Sequence, residues 1–234
     1  MKIVRVNNYE DMSFYAYDLI KIKLLELDQP VLGLATGSTP KRLYELLEEA
    51  YQRREISFSN VTTFNLDEYI GLSPDDQNSY HQYMYEHLFK HIDIPENQFH
   101  IPHGHTNNPQ KECERYEQLI QKNDGIDMQL LGLGENGHIG FNEPGTAFTT
   151  RTHVVDLKPS TRKANSRFFK HEDDVPTQAI TMGIETIMES KEILLLASGE
   201  KKKDAIERLL NGEITEDFPA SVLHKHQNVT VVIG

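Results

Sequence analysis

Cysteine is nearly missing from this sequence: Cys113 is the only one in 234 residues. No intrachain disulfide can form, and a reducing cytoplasm is the expected setting. Long apolar runs are missing as well. No segment approaches the roughly 20 residues of a membrane-spanning helix. The N-terminal MKIVRVNNYEDM lacks the apolar core of a secretory signal. Basic residues are outnumbered, 24 Lys and Arg against 36 Asp and Glu, which leaves a formal net charge of −12. That balance argues against nucleic acid or an anionic membrane as partner. There is no internal repeat, low-complexity tract or linker, so residues 1–234 are expected to form one domain with a sizeable core.

What the sequence does contain is an alternation of short apolar runs with amphipathic stretches. Lys2 to Val6 reads as a strand and Tyr9 to Leu27 as a helix, its apolar side at Met12, Tyr15, Ala16, Leu19 and Ile20. Pro30 to Ala35 is a second strand. The helix after it carries Leu43, Leu46, Leu47, Ala50 and Tyr51 as one stripe, with Thr39 the expected N-cap and Pro40 the first helical residue. Val61 to Leu66 is a third strand, ending at Asp67-Glu68-Tyr69. Tyr80 to His91 and Gln110 to Gln121 read as helices. Asp127 to Leu133, His153 to Leu157, Ala179 to Met182, Ile193 to Ala197 and Val229 to Ile233 read as strands, and Lys201 to Leu210 as a helix. This rhythm predicts an α/β fold: a mostly parallel sheet with helices on both faces.

The segment richest in chemistry is MQLLGLGENGHIGFNEPG, Met128 to Gly145. A buried strand breaks into Gly132, Gly134 and Gly137 and then presents His138, Asn142 and Glu143. Ligands of open parallel sheets bind beyond such strand ends. Gly132, Gly134 and Gly137 also match the dinucleotide-binding spacing, with Asp156 downstream, but that motif needs a helix starting within it to hold a pyrophosphate. Pro144-Gly145 and the polar run to Thr152 leave no room for one, so the match is a coincidence.

Other strand ends carry polar groups too. ATGSTP, with Thr36, Gly37, Ser38 and Thr39, is a turn feeding a helix start. It suits either a phosphate or ordinary capping, and it lacks the Gly-Lys-Ser/Thr ending of a Walker motif. Asp67 and Glu68 form either a solvated acidic turn or part of a site, and if the strand continues through them at most one faces it. The lysines of SGEKKKDAIERLL stand at a helix start, where the macrodipole favours anions; they form either a solvated face or an anion site. Arg162, Lys163 and Arg167 make a second cationic patch. His100, His103 and His105 in HIPHGH lack an acidic or thiol partner to complete a ligand set and read as a surface loop rather than a zinc site.

LGLATGSTP, FNLDEYIGL, GLGENGHIGFNEPG and TRKANSRFF, in this order and across nearly the whole chain, resemble the glucosamine-6-phosphate deaminases. FNEPG after GHIG separates that family from the related 6-phosphogluconolactonases, whose segment ends in a Ser-Leu-Phe-Pro type. The resemblance implies a Rossmann-like three-layer αβα sandwich and conversion of glucosamine 6-phosphate and water to fructose 6-phosphate and ammonia. It implies no metal and no organic cofactor.

Carried over residue by residue, the resemblance makes Asp67 the base that moves a proton between C2 and C1. His138 becomes the acid–base group of ring opening, and Glu143 the group that orients it. Thr36, Gly37, Ser38, Thr39, Arg167 and Lys202 are implied to hold the phosphate, with Lys203 the alternative to Lys202. Asn136 stands where the best-described members carry aspartate. It can accept a hydrogen bond from the imidazole but brings no charge, so His138 is expected to be less basic. The alternatives are a lactonase and a sugar-phosphate-sensing module. The sensing module fits poorly, because no DNA-binding segment is visible and the charge is acidic. His153 and Val155 occupy the places of an Arg and a Lys that bind an acetylated sugar-phosphate activator in larger hexameric members. The chain also ends at Gly234 directly after its last strand. A monomer without that activation is therefore expected.

Overall fold

The computed structural model describes residues 1–158, 161–163, 166, 169–171 and 174–234. The runs that are apolar on both faces became the sheet interior. These are β2 (Val31–Leu34), β6 (Met128–Gly132) and β9 (Glu192–Ala197), whose side chains are almost all buried. They join β1 (Lys2–Arg5), β3 (Thr62–Asn65), β5 (Phe99–His100) and β10 (Val229–Ile233) in a seven-stranded, wholly parallel sheet of order β1-β10-β9-β6-β2-β3-β5. Helices cover both faces, as the periodicity predicts. α1 (Tyr9–Glu26) packs on α2 (Lys41–Gln52), β9 and β10, and α4 (Pro109–Lys122) meets the strand at His153–Asp156. No helix among the described residues is long and apolar enough to cross a membrane.

From β2 the chain runs outward to β3 and β5, then returns through α4 to β6 on the other side of β2. The carboxyl ends of β2 and β6 therefore diverge into opposite directions of travel. Such a switch point leaves a crevice for a ligand.

Three strands depart from the parallel expectation. β4 (Asp67–Tyr69), β7 (His153–Asp156) and β8 (Gln178–Thr181) form a separate antiparallel sheet of order β4-β8-β7. Leu66 is the hinge between the two sheets. Its N–H donates to Leu34 in the main sheet at 3.2 Å, and its carbonyl accepts from Met182, just past β8, at 2.6 Å. One apolar run thus serves two sheets, which alternation cannot reveal. The small sheet has its own core of Tyr69, Phe141, Leu157 and Ala179.

Helix ends also moved. α2 begins at Lys41 with Pro40 as N-cap, and Thr39 caps nothing. The Tyr9 hydroxyl, arriving from α1, takes the Arg42 N–H at 3.1 Å and does the work expected of Thr39. The helix from Tyr80 ends at His87 (α3), breaks at Leu88 and resumes as a 3₁₀ turn, Phe89–His91. His100, expected in a surface loop, lies with Phe99 in the edge strand β5. The short α5 (Ile184–Met188) was not expected. The lysine run is a 3₁₀ turn, Glu200–Lys202, leading into α6 (Lys203–Asn211).

Candidate active site

The polar segments named above emerge from the carboxyl ends of four consecutive strands, β9, β6, β2 and β3, at the centre of the sheet. The glycine-rich segment after β6 forms turns and no helix, so it is not a dinucleotide-binding element. Gly134 donates to the His138 carbonyl at 2.9 Å, and the imidazole lies so close over Gly134 that any Cβ there would collide with it. That close approach is why glycine stands there.

The next three residues fasten the loop. Phe141 packs on Tyr69 (ring centroids 5.8 Å) and Tyr80 (6.1 Å). Asn142 is wholly buried and donates to the carbonyls of Ile139 and Met182, both at 2.9 Å. Glu143, also buried, enters a chain of polar contacts that ends on His138. Asn136 Nδ2 donates to Glu143 Oε2 at 2.7 Å, and Asn136 Oδ1 faces His138 Nδ1 at 2.6 Å. Because the amide nitrogen is committed to Glu143, its oxygen must face the ring. An amide oxygen only accepts, so Nδ1 carries the proton of the neutral imidazole and Nε2 keeps a lone pair. Burial holds His138 below its ordinary pKa. Glu143 works against this, Lys202 adds to the lowering, and Glu135 opposes it.

Asp67 and Glu68 have opposite surroundings, as their alternation requires. Glu68 turns to the start of α3 and accepts the N–H groups of Tyr69, Tyr80 and His81 at 2.8–2.9 Å. It is a helix-capping carboxylate on the far side of β4. Asp67 is 7% exposed, and no group among the described residues hydrogen-bonds its carboxylate. Burial, and then the neighbouring Glu68 charge, push its pKa up to about 8. A Cβ placed on Gly140, two residues after His138, would lie 3.6 Å from Asp67 Oδ2. The loop that carries the imidazole therefore also closes over the carboxylate. A buried carboxylate with no hydrogen-bond partner among the described residues, under the loop that also carries an imidazole held as Nδ1–H, is suited to moving protons on carbon and oxygen.

Thr36 to Thr39 form the turn after β2, with Gly37 at φ +93°. Its carbonyls are tied back by tyrosine hydroxyls: Tyr44 to Ala35 (2.5 Å), Tyr83 to Gly37 (2.5 Å) and Tyr9 to Ser38 (3.0 Å). Sequence reading did not single out these tyrosines, since only the tertiary fold brings α1, α2 and α3 to one turn. With the carbonyls held away, N–H and hydroxyl groups remain for an anion. Ser38 and Thr39 line a cavity of about 470 Å³ together with Ser198, at the end of β9. Four residues on, Lys202 is half-buried and near enough for its charge to bear on His138, while Lys201 and Lys203 are exposed. Arg167 lies outside the described residues. Arg162 points elsewhere and donates to the Val175 carbonyl. His100 and His103 line a separate cavity behind Glu68. No three His, Cys, Asp or Glu among the described residues are disposed to hold a metal ion.

Residues 18–232 match the family model described as glucosamine-6-phosphate isomerases/6-phosphogluconolactonase. The chain is 56% identical to the glucosamine-6-phosphate deaminase of Oceanobacillus iheyensis, over 99% of this chain and 93% of that one. It is 52% identical to glucosamine-6-phosphate deaminase 1 of Bacillus subtilis, over 100% and 96%. A solved monomeric glucosamine-6-phosphate deaminase superposes with a TM-score of 0.98 at 52% identity, covering 100% of this chain and 97% of that one. The 6-phosphogluconolactonase of Thermotoga maritima shares the fold, with a TM-score of 0.78 at 22% identity over 99% and 98% of the two chains.

Proposed function

The chain belongs to the family of glucosamine-6-phosphate isomerases and 6-phosphogluconolactonases, and within it we propose that it is a glucosamine-6-phosphate deaminase of amino-sugar catabolism. It converts glucosamine 6-phosphate and water to fructose 6-phosphate and ammonia, as one cytoplasmic catalytic domain. The observation that carries the reading is one loop that carries the Glu143–Asn136–His138 chain and closes at Gly140 over Asp67, whose carboxylate has no hydrogen-bond partner among the described residues. A lactonase needs no base for a carbon-bound proton; an aldose-to-ketose conversion does.

The N–H groups of the Thr36–Thr39 turn, the Ser38 and Thr39 hydroxyls, Lys202 and Arg167 hold the phosphate. Neutral His138 takes the anomeric hydroxyl proton on Nε2 and delivers it to the ring oxygen, which opens the pyranose. Asp67 removes the C2 proton to give an enolamine and returns a proton to C1. The resulting C2 imine adds water and releases ammonia. Positive charge on the substrate amine favours the ionised form of Asp67 that this step uses.

Ammonia release from glucosamine 6-phosphate, with N-acetylglucosamine 6-phosphate and 6-phosphogluconolactone as controls, tests the assignment. Ammonia from the free amine alone is expected. Lactone hydrolysis without ammonia would replace the deaminase reading by the lactonase one. For the phosphate groups, Lys202→Ala and Arg167→Ala should each raise KM about ten- to a hundredfold, the worth of a hydrogen bond to a charged group, with kcat little changed. A large KM effect in Lys203→Ala instead would transfer the role by one residue.

A monomer without heterotropic activation completes the proposal. Val155 packs into the small core beside Tyr69 and Phe141, and His153 Nδ1 is engaged by the Arg151 carbonyl at 2.8 Å. Val155 offers neither charge nor hydrogen bond to a second phosphate, one ring nitrogen of His153 is already committed, and coupling between sites needs a second site. Rate against substrate should be hyperbolic and unmoved by N-acetylglucosamine 6-phosphate. A sigmoidal curve that becomes hyperbolic with that effector would contradict this.

A further inference from the structure

Glu143 holds Asn136 through one oxygen only, and its other oxygen is also engaged. Oε1 accepts from the Thr161 hydroxyl at 2.5 Å. Thr161 is half-buried and lies in a helical stretch, residues 161–163, in a segment remote in sequence from the loop after β6. The turn is fastened independently, because Arg162 Nε and Nη2 donate to the Val175 carbonyl at 3.2 and 3.0 Å.

We propose that Thr161 is a positioning residue of the reaction, which fixes the Glu143 carboxylate plane and thereby the tautomer of His138. The argument starts from Asn136. An aspartate there would draw the Nδ1 proton by charge whichever oxygen faced the ring. An amide does so only if its oxygen, not its nitrogen, faces Nδ1, and here that choice is made by Glu143 Oε2 on the nitrogen, helped by the His138 N–H, which donates to the amide oxygen at 3.2 Å. The terminal torsion of a glutamate is broad and roughly two-fold, so a single donor leaves the carboxylate free to rock. A second donor on the other oxygen fixes its plane. Without Thr161 the Asn136 amide can turn over and offer its NH₂ to Nδ1. The proton then sits on Nε2, and the ring loses the lone pair it needs toward the sugar.

This inference rests on the deaminase reading, and its test has one arm that needs no substrate. Thr161→Val keeps the shape and removes the hydroxyl; Thr161→Ser keeps the hydroxyl. Thr161→Val should lower kcat roughly ten- to a hundredfold with KM nearly unchanged, and Thr161→Ser should recover most of the loss. In protein labelled with ¹⁵N-histidine, the His138 ring shifts should report the Nδ1–H tautomer in the parent and in Thr161→Ser. Thr161→Val should show a mixture of tautomers. Should Thr161→Val melt well below the parent, the ring shifts of Thr161→Ala decide in its place. Parental kcat in Thr161→Val, equal impairment in Val and Ser variants, or an unmixed Nδ1–H tautomer in the hydroxyl-free variant would each overturn the proposal. A parent that releases no ammonia, together with the mixed tautomers in Thr161→Val, would instead sink the deaminase reading alone.

Discussion

Asp67→Asn is expected to lower kcat by about two to four orders of magnitude, the range typical of a general base, while substrate affinity stays near that of the parent. The carboxylate has no hydrogen-bond partner among the described residues, so an isosteric amide breaks no structural contact. Its pKa, pushed up to about 8 by burial and by Glu68, also sets a pH dependence. A base works ionised, so kcat/KM of the free enzyme should rise with pH through that region and fall below it. Stability runs the other way. A carboxyl whose folded pKa is raised binds its proton more tightly in the folded state, so its contribution is complete below about pH 4 and lost as pH rises through about 8. Asparagine has nothing to ionise. The melting temperature of Asp67→Asn should therefore exceed that of the parent by a margin that widens toward pH 9. Steady-state kinetics and thermal melts across this range check both signs. Activity above roughly a tenth of the parent would remove Asp67 from the role of base.

His138→Gln is the second large effect. Glutamine can fill the space and face Asn136, but it cannot shuttle a proton between two oxygens. A loss of about 10²-fold or more in turnover of the cyclic sugar is expected, near the lower end for general acid–base groups. An analogue locked in the open-chain form should bind variant and parent alike. Equal loss of affinity for cyclic and open forms would make His138 a binding group. The companion change Asn136→Asp adds a negative charge beside Nδ1, which favours the imidazolium. It should move the imidazole-dependent limb of the pH profile upward.

The sheet was legible because EILLLA and MQLLG are mostly apolar on both faces and recur between amphipathic stretches, as the interior of a parallel sheet requires. The site was legible in part, since glycines followed by His138 and Glu143 at a strand end have few other uses. The pairing of Asp67 with Thr181 in a second sheet was not legible, because one residue of hinge at Leu66 leaves no mark on a period-two pattern. Nor were the tyrosine hydroxyls on the Ala35–Ser38 carbonyls. Tyr44 is a wholly buried core residue, and Tyr9 and Tyr83 pack on the core as well. A core tyrosine looks the same in sequence whichever carbonyl its hydroxyl meets. The N-cap expected at Thr39 failed for a related reason: a tertiary donor–acceptor pair, Arg42 with Tyr9, took the place of the local one. Thr161 is the clearest case, 18 positions after Glu143 with no motif joining them.

The central claim is that ammonia leaves by way of a proton transfer from C2 to C1, and a substrate carrying deuterium at C2 tests it most directly. Turnover of glucosamine 6-phosphate labelled there should release ammonia and form a ketose phosphate, with the label moved to C1 or washed into water. Asp67→Asn should suppress both events together. Ammonia accompanied by an aldose phosphate that keeps its C2 deuterium would mean direct displacement of the amine, and would contradict the account.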